Sequence, residues 1–111
     1  MSEIDAINES IRSSKETIRK AEAIHRLKKN DDFKTIILED YLRNFAAHLV
    51  HSKALVQLQD DKQQKFLDGQ IAGVGYFVQY MDMVLTAGVT AQAALESHEE
   101  VMHEILTEET M

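Results

Sequence analysis

Apolar positions recur at steps of three and four along almost the whole chain, the period of a helix that buries one face. In the first quarter Ile4, Ile7, Ile11, Ile18, Ala21 and His25 keep that step, with Ser14 as the polar gap. This is a narrow, β-branched a/d seam of the kind coiled coils use. Ser2 precedes it with Asp5 three residues on, the pattern of a short-armed capping box. A first helix is therefore expected over about 3–29.

Asn30, Asp31 and Asp32 supply a stop and the next N-cap, with acids suited to a helix N-terminus. Phe33, Ile37, Tyr41, Phe45 and Leu49 then recur at i+4, flanked by Ile36, Leu38, Leu42, Ala46 and Val50. The breadth of that stripe predicts a second helix over about 32–58 as the most buried element, loosening around His51, Ser52 and Lys53. Gln59, Asp60 and Asp61 form the next connection. A third seam follows at Leu67, Ile71, Val74, Val78, Met81 and Leu85. Gly69, Gly73 and Gly75 lie beside it, where small residues let another backbone come close. At Gly88 the seam changes phase, to Ala91, Leu95, Met102 and Ile105. Gly88 either ends the helix as a C′ glycine before a cap at Thr90 or sits inside one long helix over about 62–108. The pattern specifies an all-α fold in a single domain, residues 1–111, like a bundle or coiled coil. Its expected form is an antiparallel helical hairpin with a long third helix packed on it and overhanging. The overhang leaves Leu95, Met102 and Ile105 without cover, and makes a homo-oligomer the expected state.

Composition supports long helices: no proline, no cysteine and four glycines in 111 residues. The net charge is −7, which disfavours direct nucleic-acid binding, because phosphate contacts need a basic face. Charge is also segregated. Arg12, Lys15, Arg19, Lys20, Arg26, Lys28 and Lys29 crowd the first helix, while Glu96, Glu99, Glu100, Glu104, Glu108 and Glu109 fill an end without Lys or Arg. Absence of cysteine excludes disulfides and thiolate metal sites and suits the cytoplasm. The first residues, Met-Ser-Glu-Ile-Asp, lack the apolar core of a signal peptide. Residues 70–89 are apolar, but Gln79 and Asp82 interrupt them, and an Asp at mid-bilayer costs about 3 kcal/mol. A buried soluble helix, not a membrane span, is expected there.

Candidate chemistry is sparse. Glu22 with His25 and Glu100 with His103 form two E-x-x-H pairs, the spacing by which ferritin-like bundles hold two irons. The set needs two further carboxylates, and Glu39 and Glu96 are not on an apolar seam, so no metal and no cofactor is expected. His48 and His51 share a spacing of three that could hold a metal or make a pH-sensitive pair, but His48 is expected to pack at the edge of the second-helix stripe with His51 facing solvent, and His98 and His103 lie among the acids of the C-terminal end. There is no G-x-S-x-G, phosphate loop or H-E-x-x-H, which argues against an enzyme. Met81, Met83 and Met102 with Tyr76, Phe77 and Tyr80 offer core or partner-binding surface. Tyr76 and Tyr80, at i and i+4 on a flank of the third seam, are the candidate interface together with Leu95, Met102 and Ile105.

One stretch carries a resemblance. Ala21-Glu22-Ala23-Ile24-His25-Arg26-Leu27-Lys28-Lys29-Asn30-Asp31-Asp32-Phe33-Lys34, continuing into Ile36-Ile37-Leu38-Glu39-Asp40-Tyr41-Leu42-Arg43, resembles small helical proteins of the head and assembly region of tailed bacteriophages. The likeness extends over about residues 20–108. It implies a structural or assembly protein of the virion, made in the bacterial host cytoplasm and contacting other phage proteins. The alternative expectation is an acidic regulator that binds and inhibits a host or phage protein.

Overall fold

The computed structural model describes residues 2–110, and every regular element among them is helical. The N-terminal helix is Glu3–Lys29. Its start is the reciprocal box the spacing predicts: Asp5 N–H donates to Ser2 Oγ at 3.1 Å, and Ser2 N–H to Asp5 Oδ2 at 3.4 Å. Arg26, Lys28 and Lys29 occupy its last turn, where cations offset the carbonyl end of the helix dipole. Asn30 then leaves the helix with φ −72° and ψ 128°, and its Oδ1 accepts from Phe33 N–H at 2.9 Å. One asparagine thus ends one helix and caps the next.

The middle helix has three segments: α-helical Asp31–Phe33, π-helical Lys34–Phe45 and α-helical Ala46–Ser52. The wide central turn fits the sequence. On an α-helix, residues repeating at i+4 precess by about 40° per step, so Phe33 and Leu49 would lie on opposite flanks. A turn closed by i→i+5 bonds holds more residues and reduces that drift. The helix stops at Ser52, six residues before the expected 58. Ser52 Oγ donates back to His48 O at 2.8 Å, and a single 3-10 turn, Val56–Leu58, follows. Two glutamines satisfy the loose carbonyls. Gln59 Nε2 donates to Lys53 O and Leu55 O at 2.8 and 2.6 Å, and Gln64 Nε2 to Lys53 O and Leu58 O at 3.1 and 2.8 Å.

The long helix, Asp61–Thr110, is continuous through Gly88. Asp60 caps it, its Oδ1 accepting from Gln63 N–H at 2.8 Å. The chain divides into two compact units, one of residues 25–82 and one joining residues up to 24 with those from 83 onward.

In the 25–82 unit an antiparallel hairpin forms between the middle helix and the first half of the long helix itself, where the expected hairpin is of the first two helices with the long one packed on it. Leu49, Leu67 and Val74 form its buried centre, with Tyr41, Leu42, Ala46, Leu58 and Ile71 packed around them. Tyr41 meets Phe77 edge-on, centroids 6.0 Å apart and planes at 87°, and stacks on Phe45 at 6.1 Å. Lys53 pairs with Asp68 near the turn.

In the other unit the N-terminal helix lies along the second half of the long helix. Ala21 and Gly88 are both buried at the closest point, and a Cβ on Gly88 would stand 2.4 Å from Ala21 Cβ. Ile18 and Lys15 share a shallow groove with Gln92 and Leu95. Ile4, Ile7, Ile11 and Ile18 are half-buried, as expected of a seam, whereas His25 is exposed, so the seam ends at Ala21 and Ile24.

The expectation that the middle helix is the most buried element is corrected. Of the seven apolar residues buried among the described ones, Leu67, Val74, Met81, Ala91 and Leu95 are on the long helix. Ile36 and Val50 of the middle helix flank the i+4 row and stay open to solvent.

Candidate functional site

The side chains expected to carry chemistry are not assembled. Glu22, His25, Glu100 and His103 are all exposed, as are Glu39 and Glu96. Among the described residues no group of three or more His, Asp or Glu side chains could hold a metal ion. His51 is exposed as expected, and His48, expected to pack at the edge of the middle-helix stripe, is exposed as well. Glu96, Glu99, Glu100, His103 and Glu104 border an open hollow on one helix, and no ion pair engages these carboxylates among the described residues. Arg12 and Glu9, three residues apart on the N-terminal helix, do pair. The guanidinium hydrogen bond holds the Glu9 carboxyl below its ordinary range, and the carboxylate raises Arg12 in turn. Both side chains are open to solvent, so the pair adds little stability.

The five candidate interface residues separate into two groups. Leu95 is buried, and Met102 and Ile105 are half-buried, in the unit that contains the N-terminal helix. The expected uncovered overhang is therefore corrected for Leu95, which is core. The phase change at Gly88 turns the Leu95 stripe onto the N-terminal helix. His98 shares that stripe, and its buried Nδ1 has no hydrogen-bond partner among the described residues.

Tyr76 and Tyr80 behave otherwise. They are 68% and 60% exposed, on the helix face turned away from the Leu67–Val74 core. Phe66, 61% exposed, lies on the same face. Phe66, Gly69, Gly73, Tyr76 and Tyr80 follow steps of three, four, three and four, a second heptad phase on the long helix. A Cβ on Gly69 or Gly73 would meet nothing within 4 Å, so the glycines are open hollows between aromatic ridges. No charged residue occurs in 69–81. Leu67, Ile71 and Val74 of the first seam pack against the middle helix; the second seam faces out. Phe66 escapes a reading that follows one seam, and the signal that finds it is the second phase.

Among the described residues no helix is long and apolar enough to cross a membrane. No family model, curated protein or solved structure matches this chain.

Proposed function

We propose that this chain is a non-enzymatic structural or assembly protein that works through helix–helix contacts, in the setting of a tailed bacteriophage and its host cytoplasm. The observation that carries the reading is the open aromatic face of the long helix. The largest apolar patch on a soluble protein is commonly a few hundred Å² and often functional, and this one has the regular spacing of a helix-packing seam rather than a scatter of single residues. The phage setting rests on the resemblance of residues 21–43. Tyr76→Asp with Tyr80→Asp tests the role of the face. Helicity by circular dichroism should persist, because both side chains lie outside the core, while association measured by sedimentation should be lost. Unchanged association in the double variant overturns the reading.

A second reading is a regulator that engages a basic partner through its acidic end. Its support is the run of exposed carboxylates from Glu96 to Glu104 with no ion-pair partner among the described residues. It requires binding that weakens steeply with salt and is lost in Glu99→Lys with Glu100→Lys.

A further inference from the structure

We propose that the occupant of the Phe66–Tyr80 face is the same face of a second copy, packed antiparallel about a two-fold axis through Gly73. This rests on the helix-contact reading above and adds the partner, its direction and its register.

The stripe is complementary to itself in one direction. Gly73 is midway between Phe66 and Tyr80, and Gly69 and Tyr76 lie nearly symmetrically about it. Reversing one helix about Gly73 puts glycine against glycine at the crossing. It brings Tyr76 of each copy over Gly69 of the other, a ridge into a hollow. Phe66 of each copy then meets Tyr80 of the other. This is an isologous contact, in which one patch serves both partners. Parallel in-register pairing would instead stack Tyr76 on Tyr76 and leave the glycines facing each other as voids.

Area sets the strength of this contact. Phe66, Tyr76 and Tyr80 are 61, 68 and 60% exposed; with about 200 Å² for each full aromatic side chain they leave about 380 Å² open per copy. Two copies would bury about 760 Å² from these side chains, with the backbone of Gly69 and Gly73 adding to it, the size of a weak, concentration-dependent contact rather than a permanent one. The absence of charge over 69–81 fits a face whose partner is equally uncharged. A basic or acidic partner would find nothing to pair with there.

Because the chain has no cysteine, single engineered thiols report the geometry directly. Along the helix Phe66 and Tyr80 are about 21 Å apart. The antiparallel arrangement therefore predicts that Phe66→Cys alone does not cross-link under mild oxidation. An equimolar mixture of Phe66→Cys and Tyr80→Cys gives a covalent dimer, and Gly73→Cys links to itself. Gly75→Cys, off the stripe, serves as the control and should stay monomeric on a denaturing gel. Self-linking of Phe66→Cys alone and of Tyr80→Cys alone, with no gain on mixing the two, would show a parallel seam, overturning this geometry while the helix-contact reading stands. No cross-link in any variant, with native-like helicity and a monomeric mass, would overturn the second copy as occupant. The helix-contact reading would then rest on a different partner.

Discussion

Adding one methyl group at Gly88 puts the close contact of the N-terminal helix with the long helix on trial. In an ordinary helix interior Gly→Ala stabilises by about 1 kcal/mol, because glycine has more backbone freedom to lose. At Gly88 the new Cβ would stand 2.4 Å from Ala21 Cβ, whereas carbon atoms pack best at about 3.5–4.0 Å. Relief requires the two helices to separate locally by more than about 1 Å, and overpacking of that kind costs about 1–3 kcal/mol. The contact cancels or outweighs the propensity gain. Gly75 supplies the reference: it is in the same helix, exposed, with nothing within 4 Å of a built Cβ. Gly75→Ala should therefore raise stability by about 1 kcal/mol, and Gly88→Ala should fall about 1–3 kcal/mol below it. Urea unfolding followed by circular dichroism at one protein concentration reads the difference as a shift in midpoint at constant slope. Ala21→Gly in the Gly88→Ala background should recover part of the loss, a coupling expected of residues in contact. If Gly88→Ala is as stabilising as Gly75→Ala, the close crossing of Ala21 and Gly88 is refuted.

Three further outcomes follow from single contacts. Asn30→Ala removes the acceptor for Phe33 N–H and should cost about 1 kcal/mol in thermal or urea unfolding, with Asn30→Asp largely neutral. Gln64→Met keeps the side-chain length but takes the amide from the Leu58 carbonyl and leaves Lys53 O to Gln59 alone. A loss of about 1–2 kcal/mol is expected, with faster amide exchange over residues 53–58; unchanged exchange would show that Gln64 does not hold the turn. His98→Leu removes a buried nitrogen without a partner among the described residues and extends the Leu95, Met102 and Ile105 stripe. It should raise the urea midpoint by an amount equivalent to about 1 kcal/mol, and a lowered midpoint would contradict the absence of a partner.

Local features are legible in this sequence because they depend on neighbours a few residues apart. The Ser2–Asp5 box, the stop at Asn30 and the phase change at Gly88 are all written in short spacings. The middle helix is harder to read. Its i+4 repeat signals a helix, but the π-helical turn of Lys34–Phe45 and the stop at Ser52 depend on packing and on glutamines several residues downstream. Periodicity also identifies a buried face without naming what covers it. That is why the Leu95 stripe reads as free when Ala21 and its helix supply the cover. The candidate site follows the same logic: Tyr76 and Tyr80 stand out as an i, i+4 pair, while Phe66 joins them only when the helix is given two seams.

The central claim is that the open aromatic face makes this chain associate through its helices. Light scattering of the native chain over a concentration series at physiological salt tests it most directly, starting from a chain mass of 12.7 kDa. A mass that rises with concentration to at least twice that value is the predicted result. A fixed 12.7 kDa at every concentration would contradict self-association through this face.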